Sequence, residues 1–254
     1  MKLSAVIITL NEEDNIADAI RSVNWADEIL VVDSESSDRT REIATEMGAR
    51  VLVQPWLGFG KQKQFAAESA SNDLILSLDA DERISSELAD EIQAAMLRGE
   101  MADGYRVPRT TFYMGRWIKH GEWYPDLQLR LYDRRKGRWP DVPIHESVSM
   151  DHGTTIRTLK GDILHFTCSG VSHHAKMIQE RYAPLSAEKM FREGRRATYL
   201  TIAAAPIAAF AKGYILRRGF LDGLPGLAIA YFAAYNAFLK HLLLWDLERE
   251  SQKP

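Results

Sequence analysis

The first hundred residues alternate short β-branched runs with stretches of helical spacing, and nothing else in the chain constrains the fold as tightly. Strands are predicted at 3–10, 28–32, 50–54 and 74–78, and unbroken apolar runs such as Ala5-Val6-Ile7-Ile8 mark strands buried on both faces. Between them, Asn11 is placed to cap a helix in which Ile16, Ala19, Ile20 and Val23 share one face. Ile43, Ala44 and Met47 do the same ahead of Gly48, a residue suited to the left-handed position after a helix. Ser86 opens a helix that turns Leu88, Ile92 and Met96 inward. The resulting β-α-β-α-β-α-β-α order predicts an α/β fold: a Rossmann-like, mostly parallel sheet with helices on both faces, whose ligands bind beyond the carboxyl ends of the strands.

From Tyr105 to Phe166 the pattern changes. Short extended pieces rich in Trp, Tyr, Arg and His are interrupted by Pro108, Pro125, Pro140 and Pro143, which exclude long helices. From Val171 the chain reads as helical to residue 254, first basic (Arg181, Lys189, Arg192, Arg195, Arg196), then apolar over 199–210 and 224–245. The 254 residues suffice for one catalytic-sized unit with a helical C-terminal extension, not for two full α/β domains. Charge is uneven: residues 1–100 hold 9 basic and 20 acidic side chains, residues 101–254 hold 23 and 15. An acidic front half suits a metal and a basic rear half suits phosphates or anionic lipid, although solvated helix faces produce the same bias. The single Cys168 excludes an intrachain disulfide, and the Met1-Lys2-Leu3-Ser4 start leads into a strand rather than a signal peptide, so a cytoplasmic protein is expected.

Each predicted strand is followed by a candidate loop that carries a polar cluster: Thr9-Leu10-Asn11-Glu12, then 33–38 (Asp-Ser-Glu-Ser-Ser-Asp), then Gly58-Phe59-Gly60-Lys61, then Asp79-Ala80-Asp81-Glu82. The first turn has no glycine, which excludes the dinucleotide fingerprint; Gly60-Lys61 lacks the earlier glycine and the following Ser or Thr of a P-loop. Asp79-Ala80-Asp81 ends a buried strand, so one carboxylate is placed to hold Mg²⁺ or Mn²⁺ and the other to orient a ribose; helix capping by Asp81 is the plainer alternative. Asp33 ends another buried strand, where its carboxylate can accept from the N3–H of uracil or simply form an Asp-Ser turn.

In this order, Val-Ile-Ile-Thr-Leu-Asn-Glu, Ile-Leu-Val-Val-Asp-Ser-x-Ser-x-Asp-x-Thr and Leu-Ile-Leu-Ser-Leu-Asp-Ala-Asp-Glu, over about residues 1–83, resemble family 2 glycosyltransferases of the GT-A fold. Trp-Tyr-Pro-Asp-x-Gln-x-Arg-Leu at 123–131, Pro-Ile-His-Glu at 143–146 and Gly-Phe-Leu-Asp-Gly at 219–223 are similar to bacterial lipopolysaccharide core β-1,4-glucosyltransferases that modify heptose. The resemblance implies a GT-A catalytic domain over 1–170, with 1–100 binding the nucleotide sugar and 101–170 the acceptor, followed by the helical region 171–254. It implies a UDP-sugar donor, UDP-glucose, bound by Thr9, Asn11, Glu12, Asp33, Ser34, Asp79 and Ala80, with Lys61 assisting. It implies a divalent metal on Asp81, joined by His145, for which a structural role is the alternative.

Asp126 takes the place of the family's catalytic base, with Pro125 where the usual acidic neighbour stands; Glu122 and Glu146 are the reserves. Such a base removes the acceptor proton as the hydroxyl oxygen attacks the anomeric carbon, while Arg130 and the metal stabilise the leaving diphosphate. One displacement inverts the anomeric centre. Arg138-Trp139 lacks the Gln three residues before Arg138 that marks processive relatives, so single-sugar transfer is expected. Trp117, Trp123, Tyr124 and Trp139 among Arg109, Arg116, Arg134, Arg135 and Arg138 suit sugar stacking and acceptor phosphates, or ordinary packing.

Neither C-terminal apolar stretch reads as a span, since Lys212 interrupts the first and Pro225, Asn236, Lys240 and His241 the second. Helices lying on anionic lipid at the inner membrane's cytoplasmic face are expected, with a buried hairpin or dimer interface as alternatives. The acceptor implied is a lipid-linked saccharide in the heptose region of the inner core. A nucleic-acid partner is not expected at a sequence pI of about 6.2. Among other classes, an Asp-x-Asp phosphatase would carry its motif on the first strand, and a sugar-nucleotide pyrophosphorylase would need a Gly-rich basic loop where Asn11-Glu12-Glu13-Asp14 is acidic. A non-catalytic, membrane-associated relative is separated from an enzyme by turnover alone.

Overall fold

The computed structural model describes residues 1–141, 147–166 and 170–251, and they form two compact units. Unit one comprises residues 1–109 and 126–165; unit two comprises 110–125 and the chain from 166 onward. Cys168, His145 and Glu146 lie outside the described residues.

Unit one is built as the alternation predicts, from β1 (Leu3–Thr9), α1 (Ile16–Ser22), β2 (Glu28–Asp33), α2 (Thr40–Glu46), β3 (Arg50–Val53), α3 (Phe59–Ser69), β4 (Leu74–Asp79), β5 (Glu82–Ile84) and α4 (Ser86–Arg98). There follow β6 (Gly104–Tyr113), β7 (Arg116–Trp117, in unit two), β8 (Asp126–Asp133), β9 (Gly137–Arg138), β10 (Ser149–Met150), β11 (Ile156–Thr158) and β12 (Ile163–His165). The sheet runs β3-β2-β1-β4-β8-β6-β12-β5. Its first four strands are parallel; β8 then pairs antiparallel with both β4 and β6, and β12 antiparallel with β5.

Because successive side chains alternate across a strand, the apolar runs feed two cores. Leu3, Ala5 and Ile7 of β1, with Leu74, Leu76 and Leu78 of β4, pack under α1, α2 and α4 through Ile16, Ile20, Ala44, Leu88 and Ile92. Val6, Ile8, Leu30, Val32 and Ile75 face the other way, against Ala66, Ala67 and Ala70 of α3 and its end. The mostly parallel α/β sheet covered on both faces is therefore the observed fold.

Two local expectations change. Asn11 does not cap α1: it sits at φ 54°, its side chain accepts from Ser37, and the helix starts five residues later behind Asn15. Helix α4 opens at Ser86 as expected, behind Ser85, whose hydroxyl caps it by accepting from Leu88 N–H. Residues 58–61 are not a loop, since α3 begins at Phe59 behind Gly58 at φ 95°.

Unit two holds α5 (Val171–Met177), α6 (Ala183–Arg192), α7 (Tyr199–Phe210) and α8 (Gly223–Glu250). Wider π-type turns continue α5 into α6 and extend α7 to Leu216. The helix therefore passes through Lys212, where the apolar run of the sequence stops. Tyr199–Leu216 and Gly219–Glu250 are each long and apolar enough to cross a membrane by length and composition. The 219–223 segment is a packing knot. Buried Asp222 accepts from the backbone N–H of Lys119 and His120, and a Cβ on Gly226 would lie 1.9 Å from the Gly219 carbonyl.

Candidate active site

All four parallel strands end on the same edge of unit one, and the first two loops there are stapled together by the side chains of the 33–40 segment. Three successive backbone N–H groups, of Asn11, Glu12 and Glu13, donate to Ser36 Oγ, Thr40 Oγ1 and Asp38 Oδ2 at 2.8, 2.8 and 3.1 Å. Asp33 in turn accepts from the Ser36 N–H and hydroxyl, and Asp38 Oδ1 from the Thr40 hydroxyl. The spacing Asp-x-x-Ser-x-Asp-x-Thr thus fixes the β1–α1 turn, supplying acceptors to donors that no strand or helix serves. Asp33 is fully buried in this turn. Ser34 is also buried, accepting from Gln62 Nε2 of α3 at 3.1 Å.

Glu12 accepts from the Asn15 amide, and burial raises its carboxyl above the ordinary value. Thr9 Oγ1 is buried without a partner. Ala80 turns its side chain into the core. Lys61 is half-exposed and pairs with the exposed Asp141 at 2.9 Å. Two residues on, Lys63 is the buried lysine: its Nζ lies 3.0 Å from Asp79 Oδ1, and 5.0 Å from the Trp139 ring centroid.

Asp79 is the first link in an alternating chain of charges. Arg130 Nη2 reaches both Asp79 Oδ2 (3.0 Å) and Glu82 Oε1 (2.9 Å); Arg109 Nη1 reaches the same Glu82 oxygen at 2.9 Å. Arg109 then donates from Nε and Nη2 to Asp126 Oδ2, at 2.9 and 2.6 Å. Burial alone would raise the carboxyls of Asp79 and Glu82, but Lys63 and Arg130 hold the first below its ordinary value, and Arg130 and Arg109 hold the second below. Three cations thus face three carboxylates, the arrangement that lets charges remain inside a protein.

Asp81 stands apart from this chain. It sits in the turn between β4 and β5, where antiparallel pairing of Glu82 with His165 brings β12 alongside. His165 Nε2 lies 3.2 Å from Asp81 Oδ2, and its Nδ1 is buried with no partner. An oxygen and an imidazole nitrogen about 3 Å apart match neighbouring positions around a divalent ion with bonds of roughly 2.1 Å. No group of three metal-ligating side chains occurs among the described residues; Asp81 and His165 could hold a divalent ion that takes its other ligands from water or phosphate oxygens, as Mg²⁺ does.

The aromatic and arginine residues of the middle segment are largely occupied. Trp139 is buried; Trp117 packs on Phe112 and Phe166, and Trp123 on Tyr113 and His174. Arg134 and Arg135 pair with Asp73, Arg135 also with Asp133. Glu122, in unit two, pairs with Lys212 and Arg217.

The sequence profile described as glycosyl transferase family 2 matches residues 4–157, which contain every one of these strand-end groups except His165. The chain belongs to that family. Similar proteins extend the likeness over nearly its whole length: an uncharacterized glycosyltransferase of Rickettsia prowazekii (strain Madrid E) is 32% identical, covering 99% of this chain and 89% of its own. A lipopolysaccharide core biosynthesis glycosyltransferase, LpsC of Rhizobium meliloti (strain 1021), is 28% identical, with 96% and 94% covered. The crystal structure of S. aureus TarS 1-349 in complex with UDP-GlcNAc shares the fold at a TM-score of 0.51 and 16% identity, covering 99% of this chain and 93% of that one. As a family 2 glycosyltransferase of GT-A type, the protein is an enzyme that moves a sugar to an acceptor.

Sequence reasoning found the strand-end carboxylates, placed Glu82 only as the tail of the acidic cluster and Arg109 only among residues for acceptor phosphates, and missed Lys63 and His165. Lys63 had a legible signal, since it shares one helical face with Ala66, Ala67 and Ala70.

Proposed function

We propose that this enzyme is an inverting, metal-dependent glycosyltransferase that moves one glucose from UDP-glucose to a saccharide acceptor in the heptose region of the lipopolysaccharide inner core. The observation that carries the reading is the Asp81–His165 pair at the strand ends, a two-ligand seat beside a network of buried cations. The full-length likeness to LpsC supports the acceptor class.

A divalent ion held by Asp81 and His165 would supply positive charge where the diphosphate leaves. The rest falls to this chain's own residues. Thr9 Oγ1, an unpaired acceptor and donor, meets the nucleoside, and Asn11, Glu12 and Ser34 shape the turn that receives it. Each Asp33 oxygen keeps one lone pair beside its bond from Ser36, and such a pair accepts from the uracil N3–H. Arg130, anchored between Asp79 and Glu82, offsets charge on the leaving group. Asp126, about a third exposed, takes the acceptor's proton.

The test is calorimetric titration of UDP into the protein with Mn²⁺ and again with EDTA, with GDP as control. Metal-dependent, UDP-selective binding is expected; equal binding in EDTA would remove the metal from the reading. UDP-sugars are then compared as donors to a heptose-containing core saccharide.

The same reading places the enzyme at the cytoplasmic face of the inner membrane, held peripherally by unit two. Tyr199, Leu200, Ile207, Leu216 and Leu224 are all well exposed, and so is Arg218. A charge at two of these positions (Ile207→Glu with Leu216→Glu) is expected to reduce sedimentation with anionic vesicles at least fivefold, roughly the cost of burying charge in place of apolar surface. Undiminished sedimentation would leave the apolar helix to dimer contact instead.

A further inference from the structure

Asp126 lies on β8 directly across from Arg109 on β6, so backbone register, and not chance rotamers, brings the two side chains together. The contact is lopsided. Both Arg109 bonds go to Oδ2, whereas Oδ1 accepts a single bond, from Gln128 Nε2 at 2.7 Å. A carboxylate oxygen has two lone pairs, so Oδ2 is saturated and Oδ1 retains one. Arg109 is itself fixed at its far end, because Nη1 is held by Glu82, a carboxylate with no solvent exposure that Arg130 also grips. An arginine anchored in this way keeps its planar fork in one orientation, which a lysine in its place would not do.

We propose that Arg109 is the positioning residue of the transfer reaction: by filling Oδ2 and fixing the plane of the carboxylate, it directs proton uptake to Asp126 Oδ1. The inference rests on the reading of Asp126 as base. In the step, the acceptor O–H bond breaks and its proton goes to Oδ1. The hydroxyl oxygen's electron pair forms the bond to the anomeric carbon, and the bond from that carbon to the diphosphate oxygen breaks, its electron pair leaving with the diphosphate. Arg109 touches none of the reacting atoms. The same arrangement argues against a role for Arg109 in holding an acceptor phosphate, since both ends of its guanidinium are already engaged by carboxylates.

A double-mutant cycle on the full chain separates these roles. Asp126→Asn alone is expected to lower kcat about 100-fold or more with UDP affinity unchanged. Arg109→Gln alone is expected to lower kcat roughly 10- to 100-fold, with KM for donor and acceptor within about twofold, and Arg109→Lys to recover part of that loss. Together, Asp126→Asn and Arg109→Gln should be no slower than Asp126→Asn alone, because an orienting group has nothing left to orient. Multiplicative losses, or a rise in acceptor KM on Arg109→Gln, would overturn the proposal and make Arg109 a binding residue. Near-normal turnover of Asp126→Asn would instead sink the base reading beneath it. Thermal unfolding of each variant separates loss of fold, and should Arg109→Gln not fold, the Arg109→Lys arm of the cycle carries the same comparison.

Discussion

At the amino-terminal end of the parallel strands, Glu28 accepts from Ser4, from the Ser71 backbone and hydroxyl, and from Arg50; Asp27 accepts from Leu3 N–H, and Asn72 donates to Ser4. These polar groups satisfy one another and tie β1, β2 and β3 to the start of β4. At the carboxyl end, six charged side chains are held in a chain, yet Thr9 Oγ1 and His165 Nδ1 are buried with no partner among the described residues. Unpaired buried polar atoms cost on the order of 1–3 kcal/mol each, and a fold retains them where a ligand completes the set. One end of the sheet is finished by folding; the other keeps buried polar atoms that a ligand could complete. Cavity size does not reveal this, since a surface cavity of about 500 Å³ lies at the finished end, lined by Lys2, Asp27, Glu28, Arg50 and Ser71.

If that division holds, polar deletions at the two ends must differ in kind. The largest effect is expected from Asp81→Ala at the carboxyl end. Transfer should fall by roughly 100-fold or more and Mn²⁺-dependent UDP binding should disappear, while the unfolding midpoint moves less, because the pair with His165 is the one ion pair Asp81 makes among the described residues. A variant that lost its fold along with its activity would erase the contrast, which circular dichroism of the purified protein would reveal.

How much of this contrast the amino-acid sequence discloses depends on the range of the interaction. The strands are legible because β-branched runs such as 29–32 have one stable home, and the Asp79-Ala80-Asp81 tip follows from where such a run stops. The Ser36, Asp38 and Thr40 staple is local enough to be legible as a motif, though not as the brace of residues 11–13 that it is. His165 is different. It reaches Asp81 through a three-residue strand 84 positions downstream, and no periodicity in three residues announces a partner at that distance. Glu82 looks like the tail of the acidic motif; only the pairing of β5 with β12 buries it and turns it into the anchor of two arginines. Lys61 and Lys63 were separable in principle, since a difference of two residues on a helix reverses the face.

An intermediate effect is expected at the finished end. Burial pushes the Glu28 carboxyl up, but bonds from Ser4, Ser71 and Arg50 bring it down to about 2. A carboxyl whose value is depressed on folding contributes stability that is present above its unfolded value, about 4.3, and is lost as pH falls towards 2. Glu28→Gln should therefore cost about 2 kcal/mol at neutral pH, with the difference from the parent shrinking below pH 4. Chemical denaturation at pH 7 and pH 3 reads this directly. Turnover per folded molecule should be unchanged, and a large loss of turnover would mean that the two ends are not independent.

The smallest effect is the most discriminating, because its sign reverses. Thr9→Val keeps the shape of the side chain and removes a buried hydroxyl that has no partner. At the finished end such a deletion must destabilise; here it should leave stability unchanged or raise it by up to about 1 kcal/mol, since no bond is lost and a desolvated polar group is removed. The same hydroxyl is available to a bound nucleoside, so UDP affinity should weaken by about five- to tenfold, the value of one hydrogen bond. Unaltered UDP affinity together with higher stability would make Thr9 a packing residue that the ligand never meets. Lower stability would mean that the hydroxyl already has a partner, such as an ordered water, and the carboxyl end would then be less open to ligand than its unpaired atoms imply.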